Sequence, residues 1–264
     1  MRRSRLVLLA VVAAAITSCS GPAATHGKSA SPPSPLIRNA RAVTVTADPV
    51  PPDPRIGAIF VGGTTTHSCT GSVLHSATGD LVLTAAHCMA DGPDNWFAPA
   101  YTDSVTPDFW HIDRIYLDPR WTAREDPLAD FAVVSVSHGA RGSLEAASGG
   151  GFVVGPTPPV GTDVAVTGYA TGVGGGPIGC FGALSARDQG YPSLRCGGLV
   201  DGTSGAPWLS GDTVVGVTGG LQGGGCQENV SYAAPFDAAI TRLVARAEAG
   251  GAGDSVPGSY ADGC

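Results

Sequence analysis

Apolar residues in this chain fall in short runs separated by Gly, Pro, Asn and Asp. IGAIF (56–60), SVL (72–74), LVLTAA (81–86), HIDRIYL (111–117), FAVVSV (131–136), GFVV (151–154), DVAVTGYA (163–170) and TVVGVTG (213–219) each read as a β-strand. Several alternate β-branched and polar positions. LVLTAA and FAVVSV are continuous apolar runs of the kind buried strands carry. Helical spacing is confined to Phe236–Ala249, where Ile240, Leu243, Val244 and Ala247 fall on one face. Many short strands closed by one terminal helix predict an all-β barrel or sandwich. Ser137–Gly151 (SHGARGSLEAASGGG) is the softest internal boundary, and no sequence repeat is visible.

The two ends differ from this pattern. Arg2, Arg3 and Arg5 precede an apolar run from Leu6 to Ile16. That run is too short for a bilayer span, which takes about 20 residues, and fits the core of an export signal. Ile16-Thr17-Ser18-Cys19 then resembles the bacterial lipobox, which implies cleavage after residue 18 and a lipid on Cys19. The alternative is ordinary secretory cleavage near Ala23-Ala24. Residues 19–53 are rich in Ser, Pro and Ala, a composition that builds no core, and are expected to form an extended, mobile tether. Order is expected from about residue 54. Residues 250–264 form a Gly-rich tail expected to be irregular unless Cys264 pins it.

Composition narrows the class. Charged residues make up 14% of the chain, Gly numbers 39, and the formal net charge is −7. Loss of Arg2, Arg3 and Arg5 with a leader makes the remainder more acidic still. No Lys/Arg cluster lies beyond residue 5, so nucleic acid is excluded as a partner. The seven cysteines are Cys19, Cys69, Cys88, Cys180, Cys196, Cys226 and Cys264. An odd count in an exported protein calls for an account of the spare one. Lipidation of Cys19 leaves six, enough for three disulfides. No Cys-x-x-Cys or paired-His spacing marks a metal site, and no cofactor motif is present.

Three local strings carry chemistry, in the order His, Asp, Ser. Leu83-Thr84-Ala85-Ala86-His87-Cys88 ends an apolar strand on a histidine, with Cys69 upstream in Ser68-Cys69-Thr70-Gly71-Ser72. Asp130 in Ala129-Asp130-Phe131-Ala132-Val133-Val134 heads a continuous apolar strand, where a carboxylate is costly unless it has a partner. Asp126 is the alternative carboxylate, read as a turn residue before Pro127. Asp201-Gly202-Thr203-Ser204-Gly205-Ala206-Pro207 sets a serine in a tight Gly-bounded turn. Together these strings resemble those of trypsin-like serine proteases over about residues 55–247, in the chymotrypsin-like order. The exported actinobacterial and glutamyl-endopeptidase-like branch resembles this chain most.

The resemblance implies two packed antiparallel six-stranded β-barrels, about 54–138 and 150–235, with a C-terminal helix at about 236–249. It implies a catalytic triad of His87, Asp130 and Ser204, and an oxyanion hole from the amides of Gly202 and Ser204. Thr203 departs from the family, which has aspartate there; in many zymogens that aspartate pairs with a freshly cut N-terminus. Threonine cannot, so activity is expected not to require that switch. Ala206 for the family's second glycine is a mild departure. The specificity pocket is assigned to Gly198, Leu199, Asp201, Thr218, Gly219 and Gly220. Gly198 stands six residues before the serine, where trypsin has aspartate, so cleavage after Arg or Lys is not expected; an uncharged or small apolar preference is. The resemblance pairs Cys69 with Cys88. Cys180–Cys196 and Cys226–Cys264 are the next choice, with Cys196–Cys226 the competitor. The implied partner is a polypeptide substrate of a monomeric enzyme, exported and either membrane-anchored through Cys19 or secreted. Two other readings use the same residues: a catalytically silent surface binding protein, and an esterase. His26, His67, His75, His111 and His138 read as surface or structural. Trp96, Trp110, Trp121 and Trp208 read as packing residues.

Overall fold

The structure, a computed structural model, describes residues 45–92, 94–139, 141–171, 175–227 and 229–258. The leader, the tether before residue 45, Cys19, His26 and Cys264 lie outside the described residues. Among the described residues no helix is long and apolar enough to cross a membrane.

Six strands form the first barrel: β1 (Ile56–Phe60), β2 (Cys69–Leu74), β3 (Leu81–Thr84), β4 (Trp96–Pro99), β5 (Trp110–Leu117) and β6 (Ala132–Ser137). They close in the order β1-β2-β3-β6-β5-β4, with Ala58 opposite Ala98 sealing β1 to β4. Every residue of β1, β2 and β3 is buried; LVLT of β3 reads as an unbroken apolar run, whereas β2 carries Thr70 and Ser72 into the core. The second barrel has β7 (Asp163–Gly168), β8 (Ile178–Asp188), β9 (Tyr191–Leu194), β10 (Pro207–Ser210), β11 (Thr213–Thr218) and β12 (Ser231–Pro235). Its ring closes because β7 pairs with both β8 and β10. All twelve strands pair antiparallel within their barrels. Val164, Val166, Leu184, Leu194, Trp208 and Val215 fill the second core.

Helix α1 (Pro119–Arg124) and α2 (Leu144–Ala147) are short connectors that the periodicity does not show. The terminal helix, α3, runs over Ala238–Glu248, two residues later than the pattern predicts. It begins there because the Asp237 side chain accepts the Ala239 amide and caps it. Its Ile240, Leu243 and Ala247 pack into the core of the first barrel.

Several expectations are revised. Of GFVV, Val153–Val154 pairs in parallel with Thr213–Val214 outside either barrel ring, and Phe152 makes only an isolated parallel bridge to Leu74. The longest strand, β8, was not visible in the pattern, because Gly, Ser, Arg and Asp break its apolar content. The order of the chain also begins before residue 54. Val45–Thr46 pairs in parallel with Cys196–Gly197, and Asp48–Pro49 pairs with Ile178–Gly179. The second barrel offers these residues free ladder positions, which composition alone does not reveal. At the other end the tail is irregular but anchored. Asp254 accepts the Leu117 amide and pairs with Arg246, and Gly251 O accepts the Tyr116 hydroxyl at 3.0 Å.

A disulfide joins Cys180 to Cys196, closing a loop of sequence separation 16. Replacing both by alanine is expected to cost about 3 kcal/mol through the freed unfolded chain, a fall in Tm of roughly 10 °C in calorimetry beside the parent protein.

Candidate active site

Each chemical residue is delivered by a strand end. β3 runs into the short 3-10 turn Ala86–Cys88, which carries His87. That turn is stapled by the Cys69–Cys88 disulfide to the start of β2. Asp130 ends another 3-10 turn, Pro127–Ala129, just before β6. The Asp126 side chain caps the start of that turn by accepting the Leu128 amide at 3.0 Å, and pairs with Arg124. Asp126 thus shapes the loop, and Asp130 is the carboxylate that meets the histidine.

Asp130 is fully buried. Its Oδ2 lies 2.7 Å from His87 Nδ1 and accepts the Gly220 amide at 2.7 Å; its Oδ1 accepts the His87 amide at 3.0 Å. Burial opposes its ionisation. The neighbouring imidazole charge and these hydrogen bonds outweigh that cost and hold the carboxyl below the ordinary carboxylate range. An Nδ1–H donated to the carboxylate leaves His87 Nε2 as the basic nitrogen. The Cys69 and Cys88 sulfurs cluster with a His87 nitrogen within 4.8 Å, but both are committed to a disulfide and offer no thiolate to a metal.

Ser204 lies in the loop that leads into β10. The Thr70 amide donates to Ser204 O at 2.8 Å, and the Gly205 amide donates to Thr218 O at 2.8 Å. This seats the serine loop of the second barrel against β2 of the first. The approach is so close that a Cβ on Gly205 (φ +79) would stand 2.3 Å from Thr70 O and 2.3 Å from Thr84 Oγ1. Gly202 (φ +91) is likewise pressed onto the Tyr169–Thr171 backbone. Among the described residues, neither the Gly202 nor the Ser204 amide donates to any acceptor.

The remaining assigned residues fall in two groups. A Cβ on Gly198 (φ +82) would stand 3.7 Å from the Ala47 Cβ, in the paired segment before β1, and Leu199 packs on the second core. Asp201 has an exposed side chain, and its carbonyl accepts the Thr171 amide. Thr218 is buried, its hydroxyl accepting Trp208 Nε1 at 3.0 Å. Gly219 and Gly220, read from sequence only as a pocket entrance, sit against Asp130: a Cβ on Gly219 would meet Oδ2 at 2.8 Å. The Gly220 donor and the Thr70 contacts were missed, because backbone donors leave no side-chain signature. Beside His87 lies a cavity of about 550 Å³. Ala86, Met89, Ala90 and Trp121 form one side of it, and Val256–Pro257–Gly258 of the tail another. Cys226 is disulfide-bonded to a partner outside the described residues, and Cys180–Cys196 removes Cys196 as that partner.

His67 is buried and His75 exposed beside Glu145. His111 pairs with Asp113, and His138 with Asp108. Trp110, Trp121 and Trp208 are core residues, and Trp96 is half-buried.

Two closed six-stranded barrels with a buried Asp–His pair beside a Gly-bounded serine define a protein of the chymotrypsin-like fold. The family model for the trypsin-like peptidase domain matches residues 69–217, over half of the chain, and the chain belongs to that family. A protease called Anisep from Arthrobacter nicotinovorans is similar in structure, with TM-score 0.66 and 23% identity over 77% of this chain and 100% of that one. A Glu endopeptidase follows, with TM-score 0.60 and 19% identity over 78% of this chain and 100% of its own. A variant of human heparin binding protein has TM-score 0.62 and 17% identity over 80% of this chain and all of its own. No curated protein sequence matches the chain.

Two outcomes follow from the geometry. Gly205→Ala is expected to destabilise the fold by more than about 3 kcal/mol, from the positive φ plus the carbonyl clash. Gly211→Ala, also at positive φ but with open space around it, is expected to cost about 1 kcal/mol; thermal melts of the pair check both. Asp130 has a lowered folded pKa, so its contribution is present above the unfolded value and lost as pH falls through the folded one. The stability gap between the parent and Asp130→Asn is expected to close below about pH 4, measured by urea unfolding across pH.

Proposed function

We propose that the protein is an exported serine endopeptidase working through His87, Asp130 and Ser204. The observation that carries this reading is Asp130, fully buried, bonded to His87 Nδ1 and to two backbone amides. That arrangement fixes one imidazole tautomer and stabilises the imidazolium that proton uptake creates. Ser204 Oγ attacks the scissile carbonyl carbon as His87 Nε2 takes its proton. The carbonyl oxygen becomes an oxyanion, received by the two undonated amides of Gly202 and Ser204. Collapse breaks the C–N bond, and His87 returns the proton to the leaving amine. Water, deprotonated by His87, then hydrolyses the acyl-enzyme and restores Ser204.

The fold alone does not decide for catalysis, since a heparin binding protein shares it. The geometry at Asp130 is what favours an active site over a silent binding surface. The cavity flanking His87 also carries the Asp91 carboxylate, so the uncharged or small apolar preference rests on Gly198, which stands where trypsin has aspartate. Export is supported by the basic-apolar leader and by disulfides, which need an oxidising compartment. In this reading the mature protein is a monomer, either held on the outer membrane face by lipid on Cys19 or released.

A fluorophosphonate probe is expected to label the protein at Ser204, and Ser204→Ala not at all. Asp130→Asn is expected to lower kcat by about 10⁴-fold, through the wrong imidazole tautomer. Labelling that persists in Ser204→Ala, or a parent protein that never labels while hydrolysing no peptide, overturns the reading. Chains beginning at residues 20 and 45 are expected to share one kcat/KM within about twofold, because Thr203 offers no charge to a new N-terminus; activity confined to the trimmed chain would contradict this.

A further inference from the structure

The loop that carries Ser204 has four successive carbonyls, and each has a donor. Asp201 O accepts from the Thr171 amide at 2.8 Å, and Thr203 O from the Ala206 amide at 2.9 Å. Gly202 O accepts from the Thr70 hydroxyl at 3.0 Å, and Ser204 O from the Thr70 amide at 2.8 Å. Peptide planes are rigid, so a fixed carbonyl also fixes the N–H on the opposite edge. The Gly202 amide shares its plane with Asp201 O and the Ser204 amide shares its plane with Thr203 O, and Thr70 fixes the Gly202–Thr203 and Ser204–Gly205 planes that flank them.

Thr70 is fully buried and saturated. Its hydroxyl, while donating to Gly202 O, accepts the Tyr169 amide at 2.9 Å. Its carbonyl accepts the Thr84 hydroxyl at 2.8 Å. A single oxygen therefore ties the serine loop to the Tyr169 segment on which Gly202 rests. Thr203 adds a neutral latch of its own, with its amide and hydroxyl both donating to Val200 O.

We propose that Thr70 is a positioning residue that holds the Gly202 and Ser204 amides in their anion-receiving orientation, in place of a charged N-terminal latch. This rests on the protease reading above. Its hydroxyl is fully buried and acts at a distance, through the Gly202–Thr203 plane that lies between the two amide-bearing planes. Thr70→Val keeps the shape but leaves Gly202 O and the Tyr169 amide without partners in a dry site. The loop then gains a second orientation in which the oxyanion loses a donor.

The test compares Thr70→Val and Thr70→Ser with the parent, using peptide hydrolysis, fluorophosphonate labelling rate and affinity for a peptide aldehyde, whose adduct carries the oxyanion. Thr70→Val is expected to lower kcat and labelling rate by about 10- to 100-fold and weaken the aldehyde in parallel, with KM within about threefold. Thr70→Ser, which keeps the oxygen, is expected to stay within about threefold of the parent throughout. A folded Thr70→Val with parental kcat and aldehyde affinity overturns the proposal, since a structural role alone would move only the melting temperature. Should Thr70→Val not fold, Thr70→Ser and Thr70→Ala are compared at low temperature, and equal kcat in those two overturns it as well. A parent protein that neither labels nor cleaves removes the protease reading, and this assignment with it; a parent that labels leaves the Thr70 series as the sole arbiter.

Discussion

Asp130 holds a charge where no water reaches it, and the rest of the site is arranged around that fact. An isolated buried carboxylate would take up a proton. Here one donor comes from the ring of His87, one from the His87 backbone, and one from Gly220. The first two belong to the first barrel and the third follows β11 of the second. The carboxylate is therefore satisfied only when both barrels are in place. Correct docking of the barrels, ionisation of Asp130 and orientation of His87 are one condition.

Meeting that condition demands close backbone approach, and the small residues sit where it occurs. Gly219 leaves room for Asp130 Oδ2, and Gly205 leaves room for Thr70 O and Thr84 Oγ1. A Cβ on Gly168 would stand 3.3 Å from Thr70 Oγ1 of the first barrel. The high glycine content reads first as a sign of many turns. At these positions it is a sign of two barrels pressed together at backbone distance. Disulfide Cys69–Cys88 serves the same end by tying the His87 turn to β2, the strand that carries Thr70.

Legibility in the sequence followed the source of each constraint. The fully buried strands β1 and β3, and the apolar start of β6, were read directly, since apolar runs survive without context. The His87–Asp130 contact was readable because each residue stands in a local string set by its own turn. β8 was not, because Gly, Ser, Arg and Asp interrupt its apolar residues, and its strand character comes from neighbours on either side. The N-terminal arm was misread for the same reason: Val45–Thr46 and Asp48–Pro49 are strands only because the second barrel has edges to pair them. Gly220 was read as a pocket residue and its donation to Asp130 was missed, and Thr70 was missed altogether, since one acts through its amide and the other through partners far along the chain.

The Thr203 departure gains a physical meaning from these contacts. A buried ion pair must recover the desolvation of two charges, and it forms only once a free amino terminus exists. Thr203 is almost fully buried and is held by neutral bonds to Val200 O instead. Neutral bonds within one loop incur no such desolvation cost and need no cleavage event to supply a partner. The N-terminal arm also lies elsewhere, paired along Ile178–Gly179 and Cys196–Gly197. A loop secured by Thr70, Thr171 and its own turn is complete as soon as the barrels close. The order of this loop then follows from folding of the two barrels, with no part left for a charged N-terminus to supply.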